Sequence, residues 1–429
     1  VPTIEFSAQN VALLNDDSSR ALELKNPDIN IRLLPLLLKN VDIQNFTADE
    51  INADLILDTD KTLKLGQYKL ESNSPAPSLT LHQALVEKYN LSFDNKILNQ
   101  KMSLTAKTET TQEGHQLITA DVSKVKIISD INFINNGLKI NALKVSGDNI
   151  SAFASGKITH LDAKLPHLDM KIGVNNSKAE NILPLIPDIP NLSPDMDLIL
   201  LKQTGFWGDA SANLEIKGKA DYPNVYGQVL VKNAYMVKPI PNAEKATIKL
   251  AFRGDKMDLD VKVPTSPNQT VWVNGPINLD KERTADLHIT STKDVDLKTA
   301  QIVLNPLHEI LHFDIGPVPI MDIKGKGGIN LHVIGTRKNP HGWGQFTFKN
   351  ATVSFLDIHN MVLTNGSGTL DFNNQDTLFQ TKTASLNGKS ISVKGTCSLL
   401  GNLNFDVISN GQDLAKLLTT VRTSPMLKD

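Results

Sequence analysis

The sequence predicts a mainly β protein, built as one elongated, curled antiparallel sheet with a few short helices. Apolar and polar residues alternate along many short segments, which is the pattern of half-buried strands. A strand-turn-strand segment occurs twice in the sequence. No segment of the 429 residues resembles a linker between compact domains. Strand after strand without linkers favours one extended sheet over a set of separate globules.

The repeated segment spans residues 212–236 and, at an offset of 117 without a gap, residues 329–353; 9 of its 25 positions are identical. Between the identities, Ile216 matches Val333, and alternating apolar residues follow a turn that contains Gly and Pro. Each copy therefore predicts two strands joined by a turn. Gly218 and Gly335 are expected at equivalent bends, where a side chain would collide with a neighbouring strand.

The N-terminal part also reads as strands, separated by turn formers such as Asn26-Pro27 and Asp58-Thr59-Asp60. Asn135-Asn136-Gly137 predicts a further hairpin turn, because Asn and Gly tolerate positive φ. The alternating apolar pairs are Ile29/Ile31/Leu33, Val41/Ile43, Leu55/Leu57, Leu63/Leu65, Met102/Leu104, Val125/Ile127, Leu138/Ile140 and Leu143/Val145.

Two N-terminal segments are less regular. The apolar segment Leu33–Asn40 is a short helix or a buried turn, and its Pro35 argues against a long helix. In Ser78–Phe93, Leu81, Leu85 and Tyr89 have helical spacing, whereas the residues from Tyr89 onward alternate. We predict a helix or loop that passes into a strand near Tyr89.

Each repeat also has a recognisable end. Gly156, Gly275 and Gly395 lie 119 and 120 residues apart, and each opens a strand, a turn and a second strand. Helical candidates follow from Ser177, Asp296 and Gly411. The chain is therefore divided into an N-terminal segment, 1–187, and two repeat units, 188–312 and 313–429, whose bounding strands should pair across the joins near 195–208 and 314–325.

Composition excludes several classes. Lys and Arg number 44 against 46 Asp and Glu, a net charge of -2, so the basic face of a nucleic-acid-binding protein is not indicated. Cys397 is the single cysteine, which excludes disulfides within the chain. No apolar run in these residues reaches the length of a membrane span, and none of them has the pattern of a signal peptide.

The strand periodicity leaves two architectures open. At roughly 14 residues per strand and turn, the chain supplies about 25 to 30 strands, more than an open sheet holds without curling. Alternating apolar rows are equally the core of a closed sandwich or the lining of a half-pipe, a curled sheet whose concave face is covered by something other than a second sheet.

A resemblance separates these alternatives. The unit Gly208…Asn213-Leu214…Gly218…Pro223…Gly227…Asn233-Ala234, its copy Gly325…Asn330-Leu331…Gly335…Pro340…Gly344…Asn350-Ala351, and the opening segment 21–60 resemble the AsmA-like family, the repeating β-groove proteins of the diderm bacterial envelope. The resemblance covers about the first 70 residues and roughly residues 196–409. It implies one continuous β-groove, a periplasmic location and an inner-membrane anchor before Val1.

The resemblance also implies a function. Such a protein moves phospholipid between the inner and outer membranes through a hydrophobic groove, without catalysis and without a cofactor. Phospholipid acyl chains are then the expected partners, and nucleic acid is not. The expected lining comprises the alternating apolar residues of the two repeat units: Ile216, Val229, Val231, Leu250, Phe252, Val273, Ile289, Val333, Phe346, Phe348, Leu370, Phe372, Val393 and Val407.

Two other functions are considered. A periplasmic scaffold could assist outer-membrane protein assembly by offering a sheet edge for strand pairing. A metallopeptidase is suggested by His308-Glu309-Ile310-Leu311-His312, in which two His one helical turn apart can hold zinc beside a general base. The helices expected at the same place in the other units lack such a pair, so we interpret this motif as a polar helix face.

Two further short motifs are interpreted as turns. Gly388-Lys389-Ser390 resembles part of a phosphate-binding loop but has Thr383 where that loop requires Gly. Gly366-Ser367-Gly368 lacks the spacing of a nucleophile elbow. Neither motif supports a catalytic assignment.

Overall fold

The structure of the chain is a computed structural model. It describes residues 2–33, 35, 40–60, 62–69, 79–96, 100–111, 115–122, 124–134, 136–161, 165–183, 206–220, 223–235, 245–279, 284–298, 321–336, 339–355, 362–386, 388–398, 403–409 and 411. Most of Leu33–Asn40, the motif His308–His312 and the helical candidate after Gly411 lie outside these residues.

The predicted fold class is confirmed. The described residues form one mixed sheet, together with one short helix. They contain 28 strands, within the number expected from the spacing of the turns. By its internal contacts the chain divides into two compact units, residues 1–205 with 209–229, and residues 206–208 with 230–429.

The first unit contains β1 (Thr3–Ser7), β2 (Asn10–Leu14), β3 (Arg20–Lys25), β4 (Asp28–Arg32), β5 (Val41–Leu57), β6 (Leu63–Leu65), β7 (Tyr68–Lys69), β8 (Leu79–Leu81), β9 (Ala84–Asn95), β10 (Gln100–Thr110), β11 (Gln116–Val122), β12 (Val125–Ile134), β13 (Gly137–Gly147), β14 (Ile150–Thr159), β15 (His167–Lys178) and α1 (Ala179–Ile182). β16 (Trp207–Lys219) and β17 (Asn224–Tyr235) contribute residues to both units.

The second unit continues with β18 (Ala246–Gly254), β19 (Lys256–Ser266), β20 (Gln269–Asn278), β21 (Ala285–Ser291), β22 (Val295–Asp296), β23 (Met321–Thr336), β24 (Asn339–Phe355), β25 (Val362–Asn374), β26 (Asp376–Leu386), β27 (Lys389–Ser398) and β28 (Leu403–Ser409). From β18 to β21 and from β23 to β28, each strand pairs antiparallel with the next along the chain.

The sheet is mixed rather than purely antiparallel. β5 pairs in parallel with β8 and β9, with Ile51 opposite Tyr89 and Leu55 opposite Phe93. The predicted helix or loop before Tyr89 is therefore wrong, because strand β9 already begins at Ala84. Its helical spacing was misleading, since the residues of this segment are placed by pairing with the distant strand β5.

A β-bulge explains a change of phase in the first unit. Leu138 and Ile140 have even residue numbers, whereas Leu143 and Val145 have odd ones, yet both pairs belong to β13. The registers of β13 with β12 and with β14 shift between these pairs, so Leu138, Ile140, Leu143 and Val145 keep the same face. The predicted hairpin turn before β13 is confirmed, with Asn136 at φ 54°.

The segment Gly366-Ser367-Gly368 is not a turn, contrary to the prediction. It lies inside β25, where the register shifts on both sides and Asn365 has φ 53°. The irregular backbone of a bulge, rather than a chain reversal, accounts for its glycines. Gly388, in contrast, occupies the turn between β26 and β27 as predicted, with φ 75°.

The repeated glycines occupy equivalent backbone positions. Gly218 and Gly335 have φ 108° and 123°, each at the end of a strand five residues before a Pro. A side chain at Gly335 would lie 2.4 Å from the Asn339 carbonyl oxygen, whereas the nearest atom to a side chain at Gly218 is 3.9 Å away. The equivalent bends are confirmed, and the expected collision occurs at Gly335 only.

A tighter repeat feature lies in the following strands. A Cβ on Gly227 would fall 2.0 Å from the Asn213 oxygen, and one on Gly344 would fall 2.1 Å from the Asn330 oxygen. Asn213 and Asn330 are the first identical residues of the two copies. Both hairpins therefore need a residue without a side chain at this point, and the repeat reflects one shared backbone geometry.

Both joins between predicted units are bridged by hydrogen-bonded strands. β15 pairs with β16 in the first unit, and β21 and β22 pair with β23 in the second. Lys178 faces Asp209 in the first pair, with Nζ to Oδ1 at 2.5 Å, while the equivalent cross-strand partners in the second are Asp296 and Lys326. The two copies thus carry the same opposite-charge pair in reversed order.

The helix predicted from Ser177 exists as the single turn Ala179–Ile182, directly after this charged pair. Leu297, which holds the same place after Asp296, is 3% exposed. Both copies thus bury an apolar residue immediately beyond the last strand residue, Ala179 at 5% exposed in the first.

Replacing the crowded glycines should destabilise the protein more than replacing an open one. Gly227→Ala and Gly344→Ala combine a positive φ with a backbone collision, so each should lower the free energy of unfolding by about 2 kcal/mol or more. Gly388 has positive φ but no atom within 4 Å of an added Cβ. Gly388→Ala should therefore cost about 1 kcal/mol. Urea unfolding of the three variants measures the difference. An equal loss in all three would contradict the backbone collision at Gly227 and Gly344, and unequal losses at these two positions would contradict the equivalence of the two hairpins.

The reversed charge pair predicts compensation. Lys178→Asp and Asp209→Lys each place like charges opposite one another and should lower the free energy of unfolding by about 0.5 to 1 kcal/mol. The double variant recreates the order of Asp296 and Lys326 and should regain most of this loss. A double-mutant cycle in urea, repeated at high salt, tests the coupling, and additive losses would refute it.

Candidate functional site: the apolar face of the sheet

Cross-strand register places the predicted lining residues of the second unit on a single face. Val273 lies opposite Val261 on one side and Ile289 on the other, and Ile289 lies opposite Leu331. Leu331 is followed by Gly344 and then Phe372 on the next strands. Directly opposite residues share a face, so one row of apolar residues crosses six strands.

Parallel rows on the same face hold the other predicted residues. Phe346 lies between Ile329 and Leu370, and Leu370 lies opposite Phe379. The remaining cross-strand partners on this face are Leu250 with Leu259, Phe252 with Met257, Val333 with Leu287, Phe348 with Gly327 and Gly368, and Val393 with Val407. We call this surface the apolar face of the second unit.

The three remaining predicted residues lie on β16 and β17. Ile216 is opposite Met170 in the first unit, in a face that also carries Ile172 and Leu214 as opposite partners. Val229 and Val231 alternate on β17 after Gly227. Val231 belongs to the second unit, where its Cγ1 would lie 2.8 Å from a side chain at Gly208.

The predicted residues differ in their exposure. Val231, Val273 and Phe348 are buried, at 6%, 5% and 7% exposed, whereas Val407 is 56% exposed. The other ten, Ile216, Val229, Leu250, Phe252, Ile289, Val333, Phe346, Leu370, Phe372 and Val393, are half-buried. Much of this face is thus packed by its own neighbours, and a part of each half-buried side chain is left accessible.

Packing on the apolar face comes from adjacent strands and from the segment after β21. Val295 joins Val261, Val263, Val271 and Val273 in one cluster. Leu297 joins Phe348 and Ala351 in a second cluster, in which the rings of Phe348 and Phe379 stack with centroids 5.7 Å apart.

Sequence reasoning missed Val295, Leu297 and Phe379. The helical candidate began at Asp296, so Val295 lay just before it, and Leu297 was interpreted as part of a helix rather than as a residue of the apolar face. Phe379 follows Leu378, so alternation alone could not decide which of the two residues faces inward. The register with Leu370 settles this choice, since Phe379 is opposite Leu370 and Leu378 is opposite Asp371.

The opposite surface of the second unit, which we call the polar face, carries charged and amide side chains. Lys249, Asp260, Asn274 and His288 follow one another across β18 to β21. Lys349 is exposed there, and its Nζ lies 3.3 Å from Asp294 Oδ1. The two faces therefore differ strongly in polarity.

The first unit carries a comparable polar surface near its N-terminus. Asn10 Nδ2 donates a 2.9 Å hydrogen bond to Glu23, and Asn52 Nδ2 donates one of 3.2 Å to the same carboxylate. Arg20 forms an ion pair with Glu23. Hydrogen bonds from Asn10 and Arg20 lower the pKa of Glu23. The network satisfies this buried carboxylate locally.

Comparison of the chain with protein-family models, with curated proteins and with solved structures finds no match. Among the described residues, no helix is both long and apolar enough to cross a membrane. The feature of the described residues that bears on function is therefore the contrast in polarity between the two faces of the second unit.

Aromatic residues on the two faces should respond differently to truncation. Phe348→Ala removes a buried, stacked ring and should lower the free energy of unfolding by about 3 to 5 kcal/mol. Trp343 is 40% exposed on the polar face, so Trp343→Ala should cost about 1 kcal/mol or less. Denaturant unfolding followed by circular dichroism distinguishes these values. Comparable losses would show that the polar face is covered in solution.

Proposed function

We propose that this protein is a lipid-binding conduit of the periplasm, which moves phospholipid between the inner and outer membranes along the apolar face of its sheet. The observation that carries the proposal is the register: residues from β18 to β28 keep one face apolar and the other polar. A continuous apolar row on the surface of a protein marks a place where a ligand or partner binds.

Acyl chains suit this surface. Burying each CH₂ of a lipid tail on it would contribute about 0.8 kcal/mol, while the charged head group stays in water. The half-buried side chains of Leu250, Phe346, Leu370 and Phe372 offer the accessible apolar area for such contact. No catalytic residue is needed, because passage along the face changes no covalent bond.

The resemblance to the AsmA-like family supports the proposed periplasmic location and the proposed movement of lipid between the two membranes. Its diffuse Gly, Pro and Asn positions coincide with the backbone positions that the two hairpins share, including Gly227 and Gly344. An anchor in the inner membrane and a role in outer-membrane biogenesis are part of this proposal.

A second candidate is a scaffold that assists outer-membrane proteins through strand pairing. It is favoured by β28, whose residues Val407 and Ile408 are 56% and 67% exposed. Among the described residues, β28 pairs only with β27. An edge strand with exposed apolar side chains can accept a further strand from a partner.

Charges placed on the apolar face should abolish lipid passage. Val231→Asp and Phe348→Asp should both abolish passage. However, the replaced side chains are buried, so these substitutions also threaten folding. Phe372→Asp is the sharper variant, because Phe372 is half-buried. Its matched control is Asn373→Asp, one residue further along β25 on the polar face. Lys232→Asp and Lys349→Asp are further controls that should leave passage intact.

The measurement combines photocrosslinking to lipid at positions 372 and 373, mass spectrometry of organic extracts, and an envelope permeability assay of each variant. Crosslinks should form from position 372 and be at background from 373. Equal crosslinking from both faces, or normal function of a folded Phe372→Asp protein, would defeat the conduit proposal. A peptide strand captured at β28 without bound lipid would favour the scaffold.

A further inference from the structure

The polar face holds a group of side chains that the lipid conduit does not use. Asp286, His288 and His332 each offer one ligand atom, and these atoms lie within 4.8 Å of one another. We call these three residues the His–Asp cluster. Asp286 and His288 lie two residues apart on β21, and His332 lies on β23, directly opposite His288.

The two imidazole rings of the cluster lie face to face. The His288 and His332 imidazoles stack with centroids 4.1 Å apart and an interplanar angle of 7°. His332 Nε2 lies 2.6 Å from Asp286 Oδ1, which orients the His332 ring. The paired strands thus bring two nitrogen ligands and one carboxylate to the same point, whereas the sequence separates His332 from Asp286 by 46 positions.

From this arrangement, the geometry points to a binding site for a divalent transition-metal ion of the zinc and nickel type. Neutral imidazole is a preferred ligand of both ions, and a carboxylate completes a three-residue set that leaves room for water. Ligand atoms around a tetrahedral zinc ion stand about 3.4 Å apart for bonds of about 2.0 to 2.1 Å. To bind an ion, the stacked imidazoles must turn so that one nitrogen of each ring points at it, and Asp286 Oδ1 must move from 2.6 Å to about 3.4 Å from His332 Nε2.

The surroundings allow such rotations. The side chains of Asp286 and His332 are 49% and 34% exposed, and His288 is also exposed, so an ion can reach them from solvent. The neighbours across the strands are Asn274 beside His288 and Trp343 beside His332. Neither neighbour carries a positive charge that would repel a cation.

Another histidine pair supplies an internal comparison. His160 and His167 in the first unit approach with ring centroids 4.8 Å apart at 47°. No described carboxylate joins these two rings in a group of metal-ligand spacing, since the His–Asp cluster is the one such group in the described part of the chain. The pair therefore controls for weak binding by exposed imidazoles.

The test is titration of the untagged full chain with Zn²⁺ and, separately, with Ni²⁺, by calorimetry and by metal analysis after gel filtration. The wild-type protein should bind one equivalent at the cluster. His332→Gln, His288→Gln and Asp286→Asn should each weaken this binding by at least about 10-fold. His167→Gln and His341→Gln should not change it, and circular dichroism confirms that each variant is folded.

Electron paramagnetic resonance of bound Cu²⁺ counts the imidazole ligands directly, because each coordinated nitrogen adds hyperfine structure. The wild-type spectrum should show two such nitrogens, and the His332→Gln spectrum should show one. The variant His308→Gln/His312→Gln tests the His308–His312 motif. It should still bind one equivalent of metal at the His–Asp cluster. The inference is overturned if the wild-type protein binds no more metal than the His288→Gln/His332→Gln variant. It is also overturned if the equivalent is lost with His308 and His312.

Discussion

Cross-strand register is the constraint on which both faces of this protein depend. Side chains alternate along a strand, so a slip of one residue would move an entire apolar row to the polar side. In the second unit the row that contains Val261, Val273, Ile289 and Leu331 is held by direct pairing on every strand it crosses. The polarity of each face follows from that registration rather than from any one residue.

Glycines and bulges keep the register over a long run of strands. Gly227 and Gly344 allow a backbone approach that no side chain could share, and Asn233 and Asn350 follow at φ 53° and 47°. Bulges such as the one in β13 add a residue without changing which face the apolar side chains occupy. The repeat therefore keeps the same residues where the backbone is unusual, whereas apolar positions after the turn change from Val to Phe, as in Val229/Phe346 and Val231/Phe348.

The two faces can serve separate chemistries because adjacent residues point to opposite sides. His288 and Ile289 are neighbours in β21, yet one belongs to the proposed metal site and the other to the apolar face. Occupation of either face need not disturb the other as long as the strands stay paired. Lipid transport and metal binding are thus independent proposals that rest on the same register.

The local sequence pattern determined the strands, the equivalent hairpins and the side of the strand on which many apolar residues lie. Period-two alternation identified the strands, the duplicated Gly and Asn residues identified equivalent hairpins, and parity alone assigned Leu250, Phe346 and Leu370 to one side. Those features depend on residues close in sequence, where the pleat sets which side chains share a face.

Only the tertiary structure decided what distant strands bring together. Parallel pairing with β5 made Ala84–Asn95 a strand despite its helical spacing, and pairing with Leu370 turned Phe379 rather than Leu378 inward. The same holds for Asp286, His288 and His332, which meet through the pairing of β21 with β23. Such choices depend on which strand lies alongside, and a single strand's sequence does not contain that information.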